Sequence, residues 1–391
     1  MEQKLIGLTG NDAIAYAVKQ AKVDFISAYP ITPQTFTVET LSRYVANGEL
    51  DAKFVNVESE HSALSAVIGA ALVGARTFTA TSSQGLALMF EELPIASGLR
   101  LPIVMSMSTR TLSAPINIHN DHSDFLVSRD LGWVMLYAED GQEAYDMTLM
   151  AYKIAEDKSV LLPAMVGIDG FIISHAIQGI RVLDDREVEG HLGIINPRLK
   201  VNVDEPLTFG PLCFTDTFFE FKRQQHEAMT NAYGVVMRTF ADYEKLSGRK
   251  YSPVKNYMTE DADVIIAAMG STVGTARETA RRLRNEGIKA GVMGFTLFRP
   301  LPEREIFETV KNAKAVAVLE KFISYGAAAG PHYLDILSSI YGRGHVPLYD
   351  FVYGLGGREM TKEMIAHAAK VSLSNAREGV RVGVRFPGVR D

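Results

Sequence analysis

Over the first 170 residues, short and almost wholly apolar runs alternate with longer stretches whose apolar positions recur at helical spacing. Residues 23–28 (VDFISA) read as a buried strand, 34–47 as a helix entered through Pro33, 54–57 as a second strand, and 62–75 as a helix rich in small residues. Residues 77–80, 102–108 and 161–167 read as further strands. Helices are expected over 85–99, kinked by Pro94, and over 141–156. Strands separated by helices of this length predict βαβ units, hence a parallel sheet covered on both faces.

The texture changes from about residue 174 to 253. A polar, proline-bearing stretch (183–209) reads as extended, and an amphipathic pattern over about 215–247 as a long helix. Alternation then resumes, with strands at 264–269, 290–295 and 315–319. Helices are expected over 273–286, from Glu303, after Gly326 and from Thr361. The pattern therefore predicts an α/β chain in three parts: a parallel-sheet domain (1–173), a connecting arm with its helix (174–255), and a smaller α/β domain (256–391).

Composition narrows the class. Hydrophobic residues make up 47% and charged residues 22%, as in ordinary globular proteins. A formal net charge of −6 with no basic run argues against a nucleic-acid partner. No apolar run approaches the ~18 residues of a membrane span, and the N-terminal residues lack a signal-peptide pattern, so a cytoplasmic protein is expected. The single cysteine, Cys213, cannot form an internal disulfide or supply the four thiolates of an iron–sulfur cluster, and is expected to be a small buried residue.

Candidate chemistry sits at strand ends, where open parallel sheets bind ligands. Tyr29-Pro30-Ile31-Thr32-Pro33 follows the first long strand and holds Thr32 between two prolines in a stiff loop. Val57-Glu58-Ser59-Glu60-His61 precedes a helix, and its two carboxylates, taken alone, are best read as capping it. Arg110 follows the fourth strand and suits a carboxylate-bearing substrate, with a surface ion pair as the alternative. The loop beyond it carries Asn117, His119, Asn120, Asp121, His122 and Asp124, without a recognisable metal-ligand spacing. Gly270-Ser271 and residues 354–357 either cradle an anion through backbone amides or simply make tight strand–helix turns.

Together, AYPITPQT (28–35), VESEHSALSAVIGAALVGART (57–77), TATSSQGLALMFEELPIASGLRLPIVM (79–105) and the Arg110 loop resemble the alpha chains of the 2-oxoacid:ferredoxin oxidoreductase family, multi-subunit type. LGWVMLYAEDGQEAYD (131–146), LLPAMVGIDGF (161–171), GFTLFRPLP (294–302) and GLGGRE (354–359) extend the resemblance over nearly the whole chain. It implies a thiamine-diphosphate-binding domain of the pyrimidine side, followed by a transketolase C-terminal-like domain. It also implies that Glu60 activates the aminopyrimidine ring, with Glu58 a supporting carboxylate. Thr32 and Arg110 would bind the 2-oxoacid, and Tyr29, Pro30, Ile31, Ser83 and Gln84 would line the cofactor.

Thiamine enzymes hold the diphosphate and Mg²⁺ with a Gly-Asp-Gly stretch, which this sequence lacks. The resemblance therefore implies a cofactor shared with a beta subunit that carries the diphosphate and Mg²⁺ site. It further implies 4Fe–4S clusters in partner subunits, gamma and ferredoxin-like delta chains, ferredoxin as acceptor and coenzyme A as co-substrate. Pyruvate is the favoured substrate, with 2-oxoisovalerate and 2-oxoglutarate as alternatives. A non-redox transketolase-type enzyme and a non-catalytic scaffold subunit are the readings from other classes.

Overall fold

The computed structural model describes residues 3–197 and 200–390. Seven strands form one sheet in the order Leu297–Arg299, Val134–Tyr137, Ala164–Asp169, Val104–Thr109, Thr77–Thr81, Phe25–Ala28, Lys53–Asn56. All neighbours are parallel except Leu297–Arg299, which runs antiparallel to Val134–Tyr137. Five strands form a second sheet in the order Leu348–Val352, Ala315–Glu320, Val264–Met269, Ala290–Phe295, Val254–Tyr257, the last antiparallel. Lys4–Leu8 and Gln178–Val182 make a separate antiparallel ribbon.

Burial explains why the central strands read as unbroken apolar runs. Every residue of Val104–Thr109, Ala164–Asp169, Val264–Met269 and Ala315–Glu320 is buried, because helices cover both faces of each sheet. Helices Gly10–Gln20 and Gly141–Ala155 and the inner half of Phe218–Ser247 pack on one face of the first sheet. The core on its other face, under Glu60–Leu72, Ser83–Met89 and Glu92–Gly98, continues past Phe298 into the second sheet through Ile265, Met293 and Phe295. Helices Thr272–Asn285 and Lys362–Glu378 close the far face of the second sheet. Among the described residues, no helix is long and apolar enough to cross a membrane.

Several expectations need correction. The helix expected over residues 85–99 is two helices, Ser83–Met89 and Glu92–Gly98, parted at Phe90. Pro94 explains the break, because its ring clashes with the carbonyl four residues back and is tolerated in the first turn of a new helix. The stretch read as extended contains helix Asp185–Leu192, opened by a capping box between Asp184 and Glu187. Cys213 is half-exposed rather than buried, since its neighbours on the arm are exposed.

Candidate functional site

The first sheet reverses its direction of growth at Phe25–Ala28. The chain passes from there to Lys53–Asn56 on one side, then to Thr77–Thr81 on the other. Outward connections of this kind leave a crevice at the carboxyl ends. Residues 29–34 and 82–84 flank it, and buried Gln34 ties the first of these to strand Thr77–Thr81, donating to the carbonyls of Tyr29 (2.9 Å) and Ala80 (3.2 Å).

Glu60 is the first residue of helix Glu60–Leu72, where Ser59 caps the chain by accepting the Ser62 amide. Its side chain is 7% exposed and lies against Gly85, whose missing Cβ would sit 2.7 Å from Glu60 Oε1. Only a glycine permits this approach of helix Ser83–Met89. Burial raises the Glu60 pKa, opposed by a hydrogen bond from its own amide. Glu58 differs. It is exposed, accepts from Ser62 Oγ, and is held below the usual carboxylate range by that hydrogen bond. Of the two carboxylates, Glu60 is the desolvated one facing the crevice loops, and Glu58 serves the helix start.

Arg110 is buried and reaches back across the site. Its Nη1 donates to the Thr32 carbonyl (3.0 Å) and its Nε to the Asn117 carbonyl (3.1 Å). Of its five donors, two are thus used, and the Nη2 edge has no partner among the described residues. Desolvation lowers the guanidinium pKa, opposed by Asp124. Thr32, Tyr29 and Pro30 are exposed, and Ile31 is half-buried.

Asp124 holds this arrangement from beneath. One carboxyl oxygen accepts the backbone N–H of Ser83 (2.8 Å) and of Arg110 (2.9 Å). The other accepts from Phe125 N–H. Full burial pushes its pKa up to about 8. The Ser83 hydroxyl is spent internally on the Thr111 carbonyl and on Gln84 Oε1, whereas Gln84 is exposed.

A second polar cluster lies where the carboxyl ends of the two sheets meet, and it was not foreseen. Asp169, fully buried, accepts from Tyr137 OH (2.6 Å), His122 Nε2 (2.9 Å), Lys321 Nζ (2.7 Å) and the Ser271 amide (3.1 Å). Lys321 and His122 hold its carboxyl well below the usual range despite burial. The available signal was a charged residue directly after a buried strand: Asp169 closes AMVGID and Lys321 follows AVAVLE.

Residues 16–241 match the family model described as pyruvate flavodoxin/ferredoxin oxidoreductase, thiamine diphosphate binding. Residues 262–365 match the pyruvate:ferredoxin oxidoreductase core domain II. The chain is 47% identical to pyruvate synthase subunit PorA of Pyrococcus furiosus, covering 98% of this chain and 97% of that one. It is 41% identical to ketoisovalerate oxidoreductase subunit VorA of the same organism, covering 90% of each. The solved 2-oxoglutarate:ferredoxin oxidoreductase of Magnetococcus marinus, with 2-oxoglutarate, coenzyme A and succinyl-CoA bound, matches with a TM-score of 0.69 at 23% identity. That match covers 95% of this chain and 66% of that one, and it is a likeness of fold.

Proposed function

Since the chain belongs to the pyruvate:ferredoxin oxidoreductase family, we propose that it is the alpha subunit of an enzyme converting pyruvate, coenzyme A and oxidised ferredoxin to acetyl-CoA, CO₂ and reduced ferredoxin. The observation that carries the reading is the convergence of Thr32, Glu60, Ser83 and Arg110, from two loops and two helix starts, on one switch-point crevice. Identity favours pyruvate, at 47% to the pyruvate synthase subunit against 41% to the ketoisovalerate enzyme. The latter figure keeps 2-oxoisovalerate as the second reading.

The residues fit half of a thiamine diphosphate site. A desolvated carboxyl, its pKa raised by burial, suits the aminopyrimidine edge. Tyr29, Pro30, Ile31 and Gln84 would border that ring, while Ser83 shapes the loop through its backbone. When bound, thiamine diphosphate supplies the nucleophilic carbon and the electron sink for decarboxylation. Glu60 would exchange a proton with the ring. The free Nη2 edge of Arg110 would clamp the 2-oxoacid carboxylate, with the Thr32 hydroxyl beside it.

The diphosphate half does not fit this chain. It has no Gly-Asp-Gly stretch, and among the described residues no cluster of His, Cys, Asp and Glu could hold a metal ion. We assign diphosphate and Mg²⁺ binding to a beta subunit, and 4Fe–4S clusters to gamma and delta partners that pass electrons to ferredoxin. The same reading divides the chain at residues 173 and 255, and it places the assembly in the cytoplasm. Reconstitution with those partners tests it: pyruvate-dependent and coenzyme A-dependent reduction of ferredoxin is the expected result. A reconstituted complex that releases acetaldehyde or transfers ketol groups without reducing an acceptor would overturn it.

A further inference from the structure

A cleft at the carboxyl end of the second sheet lies apart from the 2-oxoacid residues proposed above. That sheet also reverses its growth. The chain leaves Val264–Met269 for Ala290–Phe295 on one side and returns to Ala315–Glu320 on the other. The crevice expected at such a switch point is present, with a volume of about 820 Å³. Small-molecule sites span roughly 300–1,000 Å³. Ser271 and Thr272 line it from one connection, Lys321 from the other, and Gly354 and Arg358 from the loop after Leu348–Val352.

Its chemistry suits an anion. Lys321 is 5% exposed and gives two of its three donors to Asn120 Oδ1 (3.0 Å) and Asp169 Oδ2 (2.7 Å). The third has no acceptor among the described residues. Ser271 does not cap helix Thr272–Asn285, because its hydroxyl is turned to Asp169. Asp169 also takes the Ser271 amide (3.1 Å), and the rest of the first turn borders the cleft through Thr272, Gly274 and Thr275.

Rim charges point the same way. Glu278 and Glu363 are already paired with Arg281 and Arg282, and Glu359 is the remaining carboxylate of the lining. Arg358 donates to the Gly388 carbonyl rather than to a carboxylate. Lys362, also on the lining, forms no ion pair among the described residues. Ile172, Tyr353 and Met360 add an apolar wall, so the room exceeds what an inorganic ion fills.

We propose that this cleft binds a phosphate-bearing small molecule of nucleoside-phosphate size, at a site separate from the 2-oxoacid. It borders the machinery proposed above, because Asn117 donates to the Gly356 carbonyl (3.2 Å) and accepts from Arg110 Nε (3.1 Å). Two sources share the chemistry: a free adenine nucleotide, and the nucleotide end of the coenzyme A that the proposed reaction consumes.

The test titrates ADP and coenzyme A into the assembled enzyme, as wild type and as the double variant Arg358→Glu with Lys362→Glu. Saturable binding of one or both is expected, weakened about tenfold or more in the variant by loss of charge-assisted contacts. Weakened ADP binding with an unchanged KM for coenzyme A identifies a free nucleotide. A raised KM for coenzyme A, with ADP competing against it, identifies the co-substrate. Lys362→Glu alone, a favourable change at a helix start, reads the same weakening should the pair disturb assembly. No saturable binding, or equal affinity in wild type and variants, overturns the proposal. Pyruvate turnover at saturating coenzyme A is expected to be unaltered in either case, so this failure is distinct from failure of the proposed function.

Discussion

Arg110 Nη1 donates to the carbonyl oxygen of Thr32 at 3.0 Å, joining two residues 78 positions apart in the chain. The two substrate-binding candidates therefore form one mechanical unit, with Asp124 fixing the arginine's backbone from below. A guanidinium can serve both tasks at once because its donors lie on separate edges: Nε and Nη1 hold carbonyls while Nη2 stays free.

Arg110→Lys is accordingly expected to be non-conservative. An ammonium can replace one of these contacts but not the planar pair to a carboxylate. A lost charge-assisted hydrogen bond is worth roughly 1.5–3 kcal/mol, or about 10- to 150-fold in kcat/KM for the 2-oxoacid. Thermal stability should change little. Steady-state kinetics of the reconstituted complex decide the matter, and unaltered 2-oxoacid kinetics would remove Arg110 from the site.

Glu60→Gln should reduce turnover to near background while leaving assembly intact, since it removes the proposed proton-exchanging group and preserves shape. Glu58→Gln should be mild, because Glu58 is exposed and serves the Ser62 end of the helix. Comparing the two variants in one assay separates activation from capping. The reverse order of severity would exchange their roles.

The fold was legible where burial dictates composition. Six-residue runs such as Val264–Met269 are buried throughout, so they read as short unbroken apolar stretches, whose length and flanking turns mark them as strands. Elements with one wet face were harder to read. Lys4–Leu8 is mostly exposed and gains definition only by pairing with Gln178–Val182, a long-range contact with no local signature. Helix Asp185–Leu192 did have a local signature, the Asp184–Glu187 capping box, which the surrounding polarity masked. Thr32, Glu60 and Arg110 became candidates through the family resemblance of their motifs. Asp124 and Lys321 were harder to assign, because their importance lies in backbone amides and carboxylates supplied by distant segments.

The isolated chain should bind thiamine diphosphate weakly if, as proposed, it supplies the pyrimidine side alone, since it lacks the Gly-Asp-Gly stretch. Calorimetric titration in the presence of Mg²⁺ should give little heat until the beta subunit is added. Tight binding by the single chain would refute the split site.

Asp169→Ala should be strongly destabilising. It strips the acceptor from Lys321, His122 and Tyr137 at the meeting of the two sheets and leaves a buried ammonium without its counter-ion. Removing one partner of a buried ion pair costs about 3–5 kcal/mol. A melting temperature within a degree or two of wild type would mean that water replaces the carboxylate there.

His122 gives the cluster a pH dependence whose sign can be worked out. Its Nε2 meets Asp169 at 2.9 Å, while its Nδ1 is buried with no partner among the described residues, so protonation would place an unsatisfied donor in the interior. Burial, with Lys321 and His332 adding repulsion and Asp169 opposing, pushes its pKa down to about 4 from an ordinary 6.5. Between those values the unfolded chain binds a proton that the folded chain does not, so stability rises with pH across the window. The contribution is fully present above about pH 6.5 and is lost as pH falls towards 4. His122→Gln keeps a donor for Asp169 and cannot become charged. Between about pH 7 and 4.5, wild type should lose roughly 2–3 kcal/mol more than this variant in denaturant titrations. Other buried acids, such as Asp124, titrate in both proteins and cancel in that difference. Parallel pH profiles for the two would show that the folded protein accommodates a charged His122, and that Nδ1 finds an acceptor on protonation.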